Sequence, residues 1–228
     1  EMIKDAYTIS ETYHVPVMLR MTTRICHSKS LVEEGERIEV PAVPYVKAPE
    51  KMDPVPAVSK VRRIVIAQRQ KELQSYAETS RWNTEEMHDT KVGIVTAGVS
   101  YQYVKEVFGD TASILKIGFS FPLPIEKIRA FAAKVDTLYV VEELDSYMED
   151  QIKAAGIACH GHDIIPDIDE LNPDIVSTCM TGKSHERVAF PKDAAVPRPP
   201  VLCAGCPHRG FAYELAKRKD TVMVGDIG

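Results

Sequence analysis

The sequence lacks the features that mark membrane, secreted or repetitive proteins. No run of about 18 apolar residues is present that could cross a bilayer. The N-terminal stretch EMIKDAYTIS has neither the basic nor the apolar region of a signal peptide. The five cysteines are odd in number, which argues against a disulfide framework. We therefore expect a protein of the reducing cytoplasm with no membrane partner.

An overall excess of basic residues is also lacking. The 228 residues include 28 Lys and Arg against 33 Asp and Glu, for a net charge of -5. A mildly acidic chain is a poor nucleic-acid binder unless its basic residues cluster. We interpret the locally basic stretch at residues 47–72 as a solvated face, so no nucleic-acid partner is expected. Hydrophobic residues make up 44% and charged residues 27%, which is typical of globular domains. The length allows one or two domains.

Residues 91–182 alternate short apolar segments with amphipathic ones. We predict strands at residues 92–96, 112–117 and 137–141, and a shorter fourth strand at residues 156–159. Helices are predicted at residues 98–108, 125–133 and 145–154, and a last helix after the cap Asn172. This alternation predicts an α/β fold with an open parallel sheet and flanking helices. The region has no glycine-rich phosphate-binding fingerprint.

Two proline-rich segments separate this region from its neighbours. Five prolines between residues 41 and 56 predict an extended linker without helix, and a long helix is predicted at residues 58–80. A second proline cluster lies at residues 191–200. The chain begins with a predicted helix and a strand at residues 15–21, and ends with a predicted strand at residues 221–224. These partial units predict an internal fragment of a longer protein.

The pair Cys203 and Cys206 is the most specific local motif. Two residues separate the cysteines, and Pro207 is expected to begin a helix whose N-terminus favours the thiolate form. Thiolates so spaced suit an iron–sulfur cluster or zinc, although the pair supplies only two of four ligands. A zinc-binding regulatory protein therefore stays open as an alternative.

Other residues give weaker signals. Arg24 and His27 lie in a predicted loop with further Arg and Thr side chains, which suits a carboxylate or phosphate ligand or a loop braced by its own hydrogen bonds. Glu142 and Glu143 follow the third strand, where adjacent acids suit either acid–base chemistry or the positive start of the next helix. We favour the second role, in which these acids lie at the positive start of the next helix.

The last four residues, Gly225, Asp226, Ile227 and Gly228, resemble the magnesium-binding motif of thiamine enzymes. A carboxylate at a strand end can bind magnesium. Ile227 stands where that motif has glycine, and the asparagine that follows later in the motif is absent.

Six segments together resemble one family, the alpha subunits of indolepyruvate ferredoxin oxidoreductases. They cover nearly the whole chain in order: residues 19–24 (LRMTTR), 94–101 (IVTAGVSY), 115–124 (LKIGFSFPLP), 138–145 (LYVVEELD), 203–209 (CAGCPHR) and 225–228 (GDIG). The family belongs to the thiamine-diphosphate 2-oxoacid:ferredoxin oxidoreductases. Ala204 departs from the proline that the family often has.

The resemblance implies a domain order. Residues 1–35 would end a pyrimidine-binding domain, residues 36–90 would form a linker and long helix, and residues 91–185 would resemble the transketolase C-terminal domain. Residues 186–197 would be a linker, and residues 198–228 would begin a diphosphate-binding domain.

The resemblance also implies a reaction: oxidative decarboxylation of an arylpyruvate such as indolepyruvate, with electrons passing to ferredoxin and the acyl group to coenzyme A. The cofactors would be thiamine diphosphate, magnesium and iron–sulfur clusters including a 4Fe–4S cluster, and the partners a beta subunit and ferredoxin. The thiamine cofactor supplies the difficult chemistry in such enzymes. The fragment alone is expected to be inactive and to bind no cofactor, because both halves of the thiamine site are incomplete.

Residue by residue, the resemblance assigns Cys203 and Cys206 to a cluster. Residues Gly225 to Gly228 become a loop near the cofactor rather than the magnesium site, which lies further downstream in the family. Arg24, His27 and His208 become candidates for contact with the cofactor, and no catalytic residue is assigned. The alternative function, which is not enzymatic, is that of a non-catalytic scaffold or subunit-interaction module.

Overall fold

A computed structural model describes residues 1–184, 189, 191, 196, 197 and 201–224. By contacts the chain divides into two units, residues 1–185 and residues 186–228. The helices of the first unit are α1 (Met2–Tyr13), α2 (Thr23–His27), α3 (Pro49–Met52), α4 (Pro56–Thr79), α5 (Ser100–Phe108), α6 (Ile125–Ala132), α7 (Tyr147–Ala154) and α8 (Pro173–Thr181). Its strands are β1 (Asn83–Glu86), β2 (Val92–Ala97), β3 (Ser113–Ile117) and β4 (Thr137–Val141). The described part of the second unit contains α9 (His208–Ala216).

The four strands form one open sheet in the order β1-β3-β2-β4. The strands β3, β2 and β4 are parallel, with Val95 level with both Leu115 and Val140. This confirms the predicted α/β fold with an open sheet. The edge strand β1 was missed: it is antiparallel to β3, and its sequence NTEE has no apolar alternation to reveal a strand.

Alternate side chains of the strands pack against two different layers of helices. Val95 and Leu115 belong to the cluster that holds Phe131 of α6 and residues of α7. Ile94 and Ile114 belong to the opposite cluster, with residues of α5 and α8. Neighbouring residues along a strand point to opposite faces, so β2 and β3 are apolar on both sides. Because β3, β2 and β4 are parallel, their carboxyl ends lie at the same edge of the sheet.

The sheet and the helices that pack on it, residues 83–181, are called the sheet unit below. Polar side chains fix α4 on this unit. The buried amide of Asn83 donates to the carbonyl oxygens of Ala77 (2.9 Å) and Phe119 (3.2 Å), and its oxygen accepts from the backbone amides of Gly118 and Phe119 at 2.9 and 2.8 Å. The Glu78 carboxylate accepts from the first backbone amides of α6 at 2.8 and 3.2 Å. The long helix and the loop after β3 are therefore held in one arrangement.

The start of α8 follows the predicted local signal. Asn172 caps α8, because its side-chain oxygen accepts from the Ile175 amide at 3.0 Å. Gly182 follows the helix with φ 72°, a left-handed conformation that glycine adopts without strain.

Several sequence predictions are wrong. Residues 15–21 and residues 221–224 are not strands, since within the described residues neither segment has a neighbouring strand to hydrogen-bond. The proline-rich segment contains the short helix α3, because Pro49 occupies the first helical position, where its missing amide costs nothing. The predicted fourth strand is reduced to a single bridge between Tyr139 and His160. The loop around Arg24 contains the helical turn α2.

Among the helices in the described part of the chain, none is long and apolar enough to cross a bilayer.

Candidate functional site

Glu142 lies at the carboxyl end of β4 and is buried. Its carboxylate accepts hydrogen bonds from the backbone amides of Met148 (2.8 Å) and Glu149 (2.9 Å), the first residues of α7. Burial raises the pKa of Glu142, and these two amides oppose that shift. This confirms the helix-start interpretation for Glu142. Glu143 instead accepts from the Leu171 amide at 2.7 Å.

A second buried carboxylate, Glu149, joins α7 to the turn after residue 160. It accepts from the His162 backbone amide at 2.9 Å, lies 2.7 Å from His162 Nδ1, and pairs with Lys153 Nζ at 2.5 Å. Burial raises the pKa of Glu149, but the contacts with Lys153 and His162 outweigh it and hold that pKa below its usual value. Gly161 is packed against the same carboxylate, where a Cβ would meet Oε2 at 2.3 Å.

Glu142, Glu149 and His162 are the one group in the described residues with three potential metal-ligand atoms close together, within 4.8 Å. The carboxylates already accept hydrogen bonds from backbone amides, and the ammonium group of Lys153 forms an ion pair with Glu149. A cation would have to displace that lysine and those amides. We therefore interpret the cluster as a structural charge network. Sequence reasoning missed Glu149 and His162, which stand outside any motif.

Arg24 pairs with Glu170 through two hydrogen bonds from Nε and Nη2, the latter 2.6 Å long. The Arg24 and Glu170 side chains are 72% and 54% exposed, so this pair lies at the surface. Nearby, burial and the charges of Glu143 and Glu170 raise the pKa of Tyr103. The sequence left open whether Arg24 binds an anionic ligand or braces its loop, and the structure shows its guanidinium engaged by a carboxylate of this chain.

His27 ends α2 and is exposed. The structure places Arg24 and His27 on the same short helix, and the His27 side chain makes no hydrogen bond or ion pair with another described residue. The predicted roles of these two residues in cofactor binding stay predictions.

The cysteine pair lies on a tight turn directly before α9. The Cys206 amide donates to the Cys203 carbonyl at 3.1 Å, and Gly205 between them has φ 79°. Cys206 Sγ lies 3.4 Å from His208 Nδ1. Cys203 is exposed and Cys206 half-buried. The turn and the following helix are as predicted.

Among the residues that the structure describes, Cys203 and Cys206 belong to no group of three potential metal-ligand atoms within 4.8 Å of one another, even with His208 beside Cys206. Gly225, Asp226, Ile227 and Gly228 lie outside the described residues, and their predicted proximity to a cofactor stays a prediction.

Comparison with known proteins gives relatives along the whole chain. No protein-family model matches. The chain is 34% identical over 254 residues to "Indolepyruvate oxidoreductase subunit IorA" of Methanothermobacter marburgensis, matching 100% of this chain and 41% of that protein. Proteins of the same name from Methanothermobacter thermautotrophicus and Pyrococcus horikoshii are 34% and 30% identical over 99% and 100% of the chain. The chain thus spans about 40% of the length of these relatives.

One solved structure is a distant match. A 2-oxoglutarate:ferredoxin oxidoreductase from Magnetococcus marinus, with 2-oxoglutarate, coenzyme A and succinyl-CoA bound, is 18% identical with a TM-score of 0.37. The match covers 48% of this chain and 20% of that one, too little to carry an assignment. The curated relatives decide the family. The chain is homologous over its full length to the IorA subunits of indolepyruvate oxidoreductases, which confirms the family that the sequence motifs indicated.

Proposed function

We propose that this chain is part of the alpha subunit of an indolepyruvate:ferredoxin oxidoreductase. The enzyme would oxidatively decarboxylate arylpyruvates, transfer the acyl group to coenzyme A, and pass electrons to ferredoxin with the help of a beta subunit. The observation that carries this proposal is the match of the entire chain to IorA subunits at up to 34% identity. A match confined to the α/β region would have indicated a shared domain only.

In this proposal the sheet unit is the scaffold. Its open sheet with helices on both faces is compatible with the transketolase C-terminal type of domain, which remains part of the proposal. The buried carboxylates Glu142 and Glu149 hold α7 and the following turn to the sheet edge. Their polar atoms are committed to this chain, so we assign them a positioning role and no part in catalysis.

The cysteine turn fits half of an iron–sulfur site. Cys203 and Cys206 lie on a tight turn at a helix start, which is the arrangement that brings two thiolates to one centre. Within the described residues no further ligand accompanies them, so the other ligands would come from elsewhere in the protein. A cluster bound there would supply one-electron transfer. His208, beside Cys206, would influence the hydrogen bonding of that sulfur.

The thiamine diphosphate and magnesium sites are proposed from the family alone. Gly225 to Gly228 would lie near the cofactor, and Arg24 and His27 are further candidates. Because Arg24 is already paired with Glu170, a phosphate or carboxylate would bind it only by replacing that partner.

The test is an assay of the complete reading frame that contains this chain, expressed with its partner subunit in the absence of oxygen. We expect indolepyruvate-dependent reduction of a viologen dye that requires both thiamine diphosphate and coenzyme A. The 228-residue chain alone is expected to show no such activity. If the cofactors are bound and indolepyruvate gives no reduction, the substrate assignment is wrong; if no cofactor binds, the scaffold alternative is favoured.

The cysteine assignment has its own test in the same complete enzyme. We expect Cys203→Ser to lower viologen reduction more than carbon dioxide release, because a cluster ligand is lost. Cys179→Ser is the matched control, since Cys179 is an exposed free cysteine on α8 and is expected to change neither rate. Unchanged viologen reduction and iron content in the Cys203 variant would contradict the assignment.

A further inference from the structure

The long helix α4 has two parts that differ in burial. In the second part Leu73 and Ala77 are buried, and the Tyr76 ring packs edge-on against Phe119, so this part is docked on the sheet unit. In the first part, residues 56–71, no residue is buried. At 1.5 Å per residue, this undocked part is about 24 Å long.

The undocked part of α4 carries an apolar stripe. Val61, Ile64 and Val65 follow Ala57 by four, seven and eight positions, a spacing that places all four on one face of a helix. Val61, Ile64 and Val65 are 64%, 73% and 40% exposed. Leu73 lies nine positions after Ile64, which is half a turn away around the helix. Docking of the second part through Leu73 therefore leaves the stripe uncovered.

Local interactions give the undocked part little stability. Five of its residues are Val or Ile, whose branched side chains lose rotamer freedom in a helix. In proteins, most of the stability of a helix comes from packing of its apolar face. A helical segment of this composition with no buried residue is therefore expected to pack against a partner.

Positive charges border the stripe on both sides. Lys60 lies four positions before Ile64 and Arg62 three positions before Val65, so each is a neighbour of the stripe on the helix surface. Neither side chain makes a hydrogen bond or ion pair with another described residue. Residues 56–71 contain five basic residues and no acidic one. A partner that covers the stripe is therefore expected to bring carboxylates to both of its edges.

We infer that residues 56–71 dock an amphipathic helix of a partner protein, whose own apolar stripe is bordered by Asp or Glu. Val and Ile suit the seam between two helices, and acids beside the partner's stripe would pair with Lys60 and Arg62. Residues 56–71 contain no Leu, Phe or Trp, the side chains with which amphipathic helices enter a membrane, so a protein helix is favoured over an anionic membrane. The inference does not rest on the proposed function.

The test uses the 228-residue chain and a fluorescently labelled peptide of three heptads, with Ile at a, Leu at d and Glu at both e and g. Repulsion between its Glu side chains keeps this peptide from pairing with itself. We expect saturable binding by fluorescence anisotropy, together with slower hydrogen exchange at the amides of residues 60–66. A peptide with Lys in place of each Glu is expected to bind at least about tenfold more weakly, because like charges then meet across the seam.

Ile64→Ser is expected to raise the Kd of the Glu peptide at least about tenfold, because it removes an apolar side chain from the centre of the stripe. Ile66→Ser is the matched control: it makes the same change two positions on, at the other side of the helix, and should change the Kd less than about twofold. Replacing both Lys60 and Arg62 by Gln is expected to weaken binding at least about threefold. Circular dichroism checks that each variant keeps its helix content.

The inference is wrong if the Glu peptide shows no saturable binding, if the Lys peptide binds as tightly, or if the Ile64 and Ile66 variants weaken binding equally. It is also wrong if the chain binds vesicles of phosphatidylcholine and phosphatidylserine through Ile64 and the Glu peptide does not compete, since a membrane would then cover the stripe.

Discussion

The sheet unit and the segment at residues 201–224 differ sharply in burial. In the sheet unit Ile94, Val95 and Phe131 are fully buried between two helical layers. No described residue between 201 and 224 is buried, although the segment contains the helix α9 and a sharply defined cysteine turn. The sheet unit is stabilised by its own side chains. The cysteine segment has no core of its own, and we expect its order to depend on what it binds.

The largest expected effect compares a phenylalanine from each region. Phe131→Ala leaves a cavity in the core and is expected to lower the free energy of unfolding by about 3–5 kcal/mol. Phe211→Ala removes a side chain that is 68% exposed and should change it by less than about 0.5 kcal/mol. Urea unfolding followed by Trp82 fluorescence measures both. Similar losses in the two variants would contradict the difference between the regions.

The second largest effect is expected at the junction between α4 and the sheet. Asn83→Ala is expected to lower the free energy of unfolding by about 1–3 kcal/mol, because it leaves the half-buried Phe119 amide without an acceptor. Thr84→Ala, at the exposed next position of β1, is the control and should cost far less. Hydrogen exchange should also become faster at the Gly118 and Phe119 amides in the Asn83 variant. Unchanged exchange there would show that α4 docks without this side chain.

A pH dependence tests the polar network at the sheet edge. The pKa of Glu149 is below its usual value of 4.5, so its ionised form stabilises the fold above that pH, and this contribution is lost as pH falls through the lowered pKa. At pH 7 we expect Glu149→Gln to lower the free energy of unfolding by about 1–3 kcal/mol, and the difference from the unmodified chain to shrink under acid.

The control for this titration is Asp150→Asn, which changes an exposed carboxylate next along the same helix and should change the free energy of unfolding by less than about 0.5 kcal/mol at either pH. A difference between Glu149→Gln and the unmodified chain that grows as pH falls would reverse the sign and contradict the network.

The smallest effect is expected for the surface ion pair between Arg24 of α2 and Glu170. Arg24→Gln should not change the free energy of unfolding measurably, because exposed ion pairs are screened by water. The double variant Arg24→Gln and Glu170→Gln should be equally stable. A loss as large as that of Asn83→Ala would show that this pair is part of the fold rather than a surface contact.

Much of the sheet unit could be predicted because its information is local. The strands β2 and β4 lie where their apolar residues indicated, and α8 begins at the predicted Asn172 cap. The strand β1 could not be predicted in this way, because its residues are polar and become a strand by pairing with β3. The segment at residues 15–21 fails for the converse reason: its apolar residues suggest a strand, and the described chain provides it no partner.

For the candidate site, the cysteine turn was predictable because its two cysteines are only three positions apart. The pairing of Arg24 with Glu170 was not, since the two residues are 146 positions apart and neither stands in a pattern that indicates the other. The same holds for Glu149 and His162.

By itself, the sequence determined the family, through its motifs. It also determined the alternation of strands and helices, the Asn172 cap and the turn between Cys203 and Cys206. These local features depend on the periodicity of apolar residues and on neighbouring backbone groups, which act over a few residues. The tertiary structure alone decided the partner of Arg24 and the network around Glu149. Such features arise where distant segments meet, because burial and charge at one residue there depend on side chains brought close only by the fold.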